Sequence, residues 1–61
     1  MFKICGKKFK ELAIDEEFWD YTEPPGHGDL FIKISETTSR HKKNLYLVDW
    51  KPEDIVEIEI L

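Results

Sequence analysis

The sequence has one cysteine, Cys5, so no disulfide can form within the chain. A lone thiol suits a reducing compartment better than the disulfide frameworks of small secreted domains. Long apolar runs are missing too, and nothing approaches the roughly 20 residues that a membrane helix needs. The expectation is a soluble, cytoplasmic protein with no membrane partner. Glycine and proline are scarce, with three of each. Pro24, Pro25, Gly26 and Gly28 are concentrated in residues 23–29, which excludes regular structure there and leaves the rest of the chain free to form it. At 61 residues there is room for one domain, 1–61. A chain of this size buries only about 60% of the surface that its unfolded form exposes.

Charge is plentiful and comes in blocks. The net charge is −4. Residues 1–10 carry Lys3, Lys7, Lys8 and Lys10 and no acid. Residues 11–29 carry seven acids and no base. Residues 30–43 are basic again through Lys33, Arg40, Lys42 and Lys43, and the remainder is acidic. Overall acidity disfavours nonspecific binding of nucleic acid. The segregation is expected to reflect oppositely charged segments lying side by side, as cross-strand pairs do.

The apolar pattern is that of strands. Leu30-Phe31-Ile32-Lys33-Ile34 alternates, as does Ile55-Val56-Glu57-Ile58-Glu59-Ile60, and alternation of this kind marks half-buried strands. The expected core face is Leu30, Ile32 and Ile34 with Leu45, Leu47, Val56, Ile58 and Ile60. Phe31, Lys33, Tyr46 and Trp50 then point outward. Residues 17–22 and 44–50 read as further strands, and 2–5 as a short first one. Phe9, Leu12 and Ala13 have the spacing of one helical turn. Residues 36–43, Glu-Thr-Thr-Ser-Arg-His-Lys-Lys, are polar throughout and read as a mobile loop. The expected fold is mainly β: a small five-stranded, SH3-like, partly open barrel with one short helical turn. The alternative is an antiparallel sheet with one packed helix.

Phe9-x-x-Leu12, Phe18, Leu30-x-Ile32-Lys33-Ile34-Ser35, Asn44-Leu45, Trp50-x-Pro52 and the closing Val56-x-Ile58 resemble a loose group of very small uncharacterised proteins of bacteriophages and mobile elements. The resemblance spans most of the chain. It implies a small β fold and a phage-type origin, and it carries over no activity and no functional residue.

The chemistry-bearing side chains are few. Cys5 with His27 or His41 lacks the local signature of a nucleophile and its base. His27, Asp29, His41 and Cys5 lack the close paired spacing of zinc ligands. Gly26-His27-Gly28 has neither the third glycine nor the following helix of a nucleotide cradle. The chain is therefore expected to be no enzyme and to hold no metal or cofactor. Three sets remain as binding candidates. Trp19, Tyr21, Phe31, Tyr46 and Trp50 are aromatic anchors of the kind that protein interfaces use. Asp15, Glu16, Glu17, Asp20 and Glu23 form an acidic face able to imitate phosphates in a nucleic-acid-binding groove. Arg40, Lys42 and Lys43 suit phosphate contacts. The expected function is a small protein-binding or inhibitor protein, a phage or mobile-element factor acting on a larger host protein or forming a homo-oligomer. The alternative is a nucleic-acid-binding β-barrel that uses the 37–43 segment.

Overall fold

Strand β3, Leu30–Lys33, shows how the residues divide between the two faces of the sheet. In the computed structural model, which describes residues 3–22 and 28–60, Phe31 and Lys33 point into the core at 3% and 4% exposure. Leu30 and Ile32 lie on the opposite, outer face and are half-buried. This corrects the expected face. Leu45 and Leu47, expected in the core, are each 63% exposed, and Ile34 and Ile60 are also exposed.

The physical reason is that rings fill the inner side better than the aliphatic residues do. Phe9, Leu12, Phe18, Phe31 and Val56 are buried, with Val48, Trp50 and Ile58 packed against them. Phe18 meets Phe9 edge-on and stacks on Phe31, both at 5.6 Å between ring centres. Trp50 stacks on Phe9 at 5.8 Å. Edge-to-face and offset pairs of this kind add about 0.5–1.5 kcal/mol each beyond their buried area. Phe31 and Trp50 thus complete the core instead of standing outward.

A charged side chain can share that face because Lys33 is satisfied. Its Nζ donates to the carbonyls of Phe9 at 3.0 Å and Leu12 at 2.8 Å, and it lies 4.5 Å from the Phe9 ring centre. Burying a cation is costly unless hydrogen bonds replace water. Here they do so, and they tie β3 to the turn at Phe9–Glu11.

Among the described residues the fold is mainly β, an antiparallel sheet of six strands that does not close. The other strands are β1, Lys3–Lys8; β2, Glu17–Asp20; β4, Thr38–His41; β5, Leu47–Asp49; and β6, Ile55–Ile60. Their order is β1-β6-β2-β3-β4-β5. The helical turn is a single 3-10 turn, Phe9–Glu11, whose start is capped by Glu11 accepting from the Lys8 N–H at 2.9 Å. The strand absent from the expectation is β4. It occupies the segment read as a loop because its inward residues, Ser39 and His41, are polar. Both are buried and bonded: Ser39 Oγ accepts the Trp50 indole N–H at 2.6 Å, and His41 Nδ1 accepts from the N–H groups of Lys43 and Asn44.

The charge blocks do lie side by side. Lys8 and Lys10 both pair with Glu53 at 2.8 Å, and Lys42 pairs with Glu17 at 2.8 Å. Hydrogen bonds from Lys10 and then Lys8 hold the Glu53 carboxyl down to about 2.

Candidate functional site

The outer face of the sheet is built by cross-strand rows. Glu17 on β2 opposes Ile32 on β3, Ile32 opposes Arg40 on β4, and Arg40 opposes Leu47 on β5. Directly opposed residues share a face, so this row reads acid, apolar, base, apolar across four strands. The next row places Trp19 opposite both Leu30 and Glu57. Lys42 joins it beyond Leu30, whose carbonyl accepts the Lys42 N–H at 3.0 Å. Glu17 thus stands on the β2 side, with Glu57 of β6 buried at 2% exposure, cations stand at the β4 side, and Leu30 and Ile32 lie between.

A cleft opens where β2 and β6 part. The two strands pair only at Trp19–Glu57 and Asp20–Val56. Beyond that pairing lies a cleft of about 320 Å³ lined by Glu16, Glu17, Trp19, Leu30, Ile58 and Glu59. Trp19, Leu30 and Ile58 supply its apolar lining, and its charged residues are all acidic. Glu16 is held there by accepting the Ala13 N–H at 2.9 Å. Glu17 is held by Lys42. A site of this kind suits a side chain with an apolar stem and a cationic head, which is what lysine and arginine present.

A second cleft, of about 330 Å³, is lined by Gly28, Asp29, Leu30, His41, Lys42 and Lys43. His41 is the titratable ring in it, and its lone pair is occupied. Nδ1 accepts two backbone N–H groups, from Lys43 at 3.2 Å and Asn44 at 2.9 Å. This assigns the ring proton to Nε2, which faces Asp29 Oδ2 at 3.6 Å. The ring stacks on Tyr46 at 4.6 Å. Held in this way, His41 organises the turn between β4 and β5. Cys5, its conceivable nucleophilic partner, is on β1, with three strands between the two in the sheet. Among the described residues no three His, Cys, Asp or Glu side chains converge as metal ligands would.

No family model, curated protein or solved structure matches the chain. What the site can bind is therefore read from its own geometry.

The aromatic candidates separate. Phe31 and Trp50 belong to the core. Tyr46 is exposed but lies against His41 and the edge of Phe31. Trp19 alone contributes to the cleft, half-buried on the outer face, and Tyr21 is exposed beyond the end of β2. Of the acidic set, Glu16 and Glu17 reach the cleft. Asp15 and Asp20 are exposed elsewhere, and Glu23 and His27 lie outside the described residues. Of the basic set, Arg40 stands in the outer row, Lys42 is paired with Glu17, and Lys43 lines the second cleft. Sequence reasoning missed Glu59 and Ile58 as lining residues. Nothing local signals them, because β2 and β6 are almost forty residues apart and become neighbours only through the sheet order.

Proposed function

We propose that this chain is a non-enzymatic protein-binding module that docks through the outer face of its sheet. The observation that carries this reading is that β3 is apolar on both sides. Phe31 serves the core, while Leu30 and Ile32 face away from it. Neighbouring apolar residues on the outer face of a sheet mark a surface for a partner, and among the described residues a single sheet supplies only one layer. The acidic-rimmed cleft beside these residues favours a protein surface offering lysine or arginine side chains. Phe9 and Trp50 follow the two edge strands β1 and β5, and their stacking draws the sheet's ends together. That supports a finer reading of the fold as a partly open, SH3-like barrel.

The nucleic-acid reading is weaker. Lys42 is already paired with Glu17, and Lys8 and Lys10 with Glu53, so the cations do not form one continuous field. The test is a titration of isotopically labelled protein with a short peptide of alternating arginine and leucine, followed by nuclear magnetic resonance. The expected result is shifts confined to the Trp19 indole and the amides of Leu30, Ile32, Ile58 and Glu59. Shifts that are absent, or centred on Lys43, would sink the proposal.

A further inference from the structure

The outer face is complementary to itself, and we infer that its occupant is a second copy of this chain, packed sheet against sheet about a two-fold axis along β3. The inference rests on the docking reading above and names the partner. An axis along β3, midway between the stacked sheets, exchanges β2 with β4 and superposes β3 on β3. The row Glu17–Ile32–Arg40 then sets Glu17 against Arg40 of the second copy and Ile32 against Ile32. The row Trp19–Leu30–Lys42 sets Leu30 against Leu30. It also lays Lys42 of the second copy on Trp19, so association exchanges each copy's own Lys42–Glu17 pair, 2.8 Å in the single chain, for the contact of Glu17 with Arg40 of the second copy. Glu17 and Arg40 thus meet as opposite charges, Lys42 meets a ring, and each apolar residue near the axis meets its own kind.

Sheets pack about 10 Å apart with side chains from both filling the gap, and a two-fold interface must match its own surface in this way. Lysine over a tryptophan face is the favourable cation–π arrangement. The need for a partner is visible in the core. Five apolar side chains are buried among the described residues, and domains this small commonly gain stability by association. The edges of the sheet are poorer sites. β1 carries Lys3, Lys7 and Lys8, which repel a second β1, and β5 has only three residues. Short or lysine-bearing edge strands are features that block edge-to-edge pairing.

The face is small, so a dissociation constant between about 1 and 100 µM is expected. The experiment is molar mass by light scattering or sedimentation from about 10 µM to about 1 mM protein. It uses the full chain and the variants Glu17→Arg, Arg40→Glu and the double reversal. Both positions are exposed, and circular dichroism checks that each variant stays folded. The wild type is expected to double its mass as concentration rises. Each single reversal is expected to weaken association about a hundredfold, because like charges then face each other. The double reversal restores it. A wild type that stays monomeric at about 1 mM overturns the second copy as occupant. The peptide titration still stands in that case, so failure of this inference is separate from failure of the docking reading. A dimer that survives both single reversals overturns the two-fold arrangement.

Discussion

The Trp50 indole donates to Ser39 Oγ across 2.6 Å, joining the end of β5 to the middle of β4 inside the core. Ser39 is fully buried, so the bond is shielded from water. Ser39→Ala removes the acceptor and strands a buried N–H, which costs about 1–3 kcal/mol. Trp50→Phe in the same background removes the stranded donor. The double variant is expected to be less destabilised than the two single effects added together, as coupled partners are. Urea unfolding of the four proteins measures this. Additive losses would show that the bond contributes nothing.

The buried cation makes a second prediction. Lys33→Met keeps the stem of the side chain but withdraws both hydrogen bonds, leaving the Phe9 and Leu12 carbonyls short of a donor. The expected loss is roughly 1–3 kcal/mol, with fastest amide exchange around Phe9–Leu12. A thermal melt that is unchanged or higher would mean that the lysine only tolerates burial and does not tie the turn to β3.

These two residues also mark where the sequence was readable. The strands at 30–33 and 55–60 were legible, because alternation is a local signal. Their facing was not. Leu30-Phe31-Ile32-Lys33 can be read with either set inward, and the lysine misdirected the choice because its carbonyl partners lie more than twenty residues away. β4 was illegible for a related reason. Ser39 and His41 look like loop residues until Trp50 and the turn at Lys43 and Asn44 supply their bonds. Of the outer face, Trp19, Glu16, Glu17, Arg40 and Lys42 were named from sequence. Their gathering into rows depends on the pairing of β2 with β3 and β6, which no short motif encodes.

Glu53 predicts a pH dependence. Its carboxyl, held down to about 2 by Lys10 and Lys8, starts from an ordinary value of 4.5. A depressed acid stabilises the fold at pH above its unfolded value and loses that contribution as pH falls through its folded value. The Lys8 ammonium, raised by Glu53, contributes fully below 10.5 and loses its part as pH rises past its folded value. The stability gap between wild type and Glu53→Gln is therefore expected to be flat from neutral pH down to about 4.5 and to vanish towards 2. It should shrink in high salt, since these side chains are exposed. A carbon-13 titration of the Glu53 carboxyl with its midpoint near the ordinary value would refute the pairing.

Leu45 occupies the turn between β4 and β5 with φ at +64°, where a side chain is strained by its Cβ. Its side chain is largely exposed, so little packing is lost on removing it. Leu45→Gly is expected to raise stability by up to about 1 kcal/mol, because relief of the left-handed strain outweighs the greater freedom of glycine in the unfolded chain. Chemical denaturation decides the sign. A clear loss would place the Leu45 side chain in a contact that matters to the fold.

The two tryptophans should behave oppositely. Trp50 touches Phe9, Phe18 and Phe31 and holds Ser39, so Trp50→Ala opens a cavity in the centre of a small core. Aromatic-to-alanine changes of that kind cost about 3–5 kcal/mol, enough to unfold much of so small a domain. Trp19 is on the other face, beside Leu30 and Glu57, and lines the cleft. Trp19→Ala should leave the chain folded. It should weaken the docking of the arginine–leucine peptide, and the association of the two copies, by about thirtyfold, the loss typical of a central aromatic anchor. Measuring the melt and the molar mass of both variants together separates the roles. A Trp19→Ala protein that stays folded and binds as before would remove the cleft from the interface. One that unfolds like Trp50→Ala would make Trp19 a structural residue of the second face.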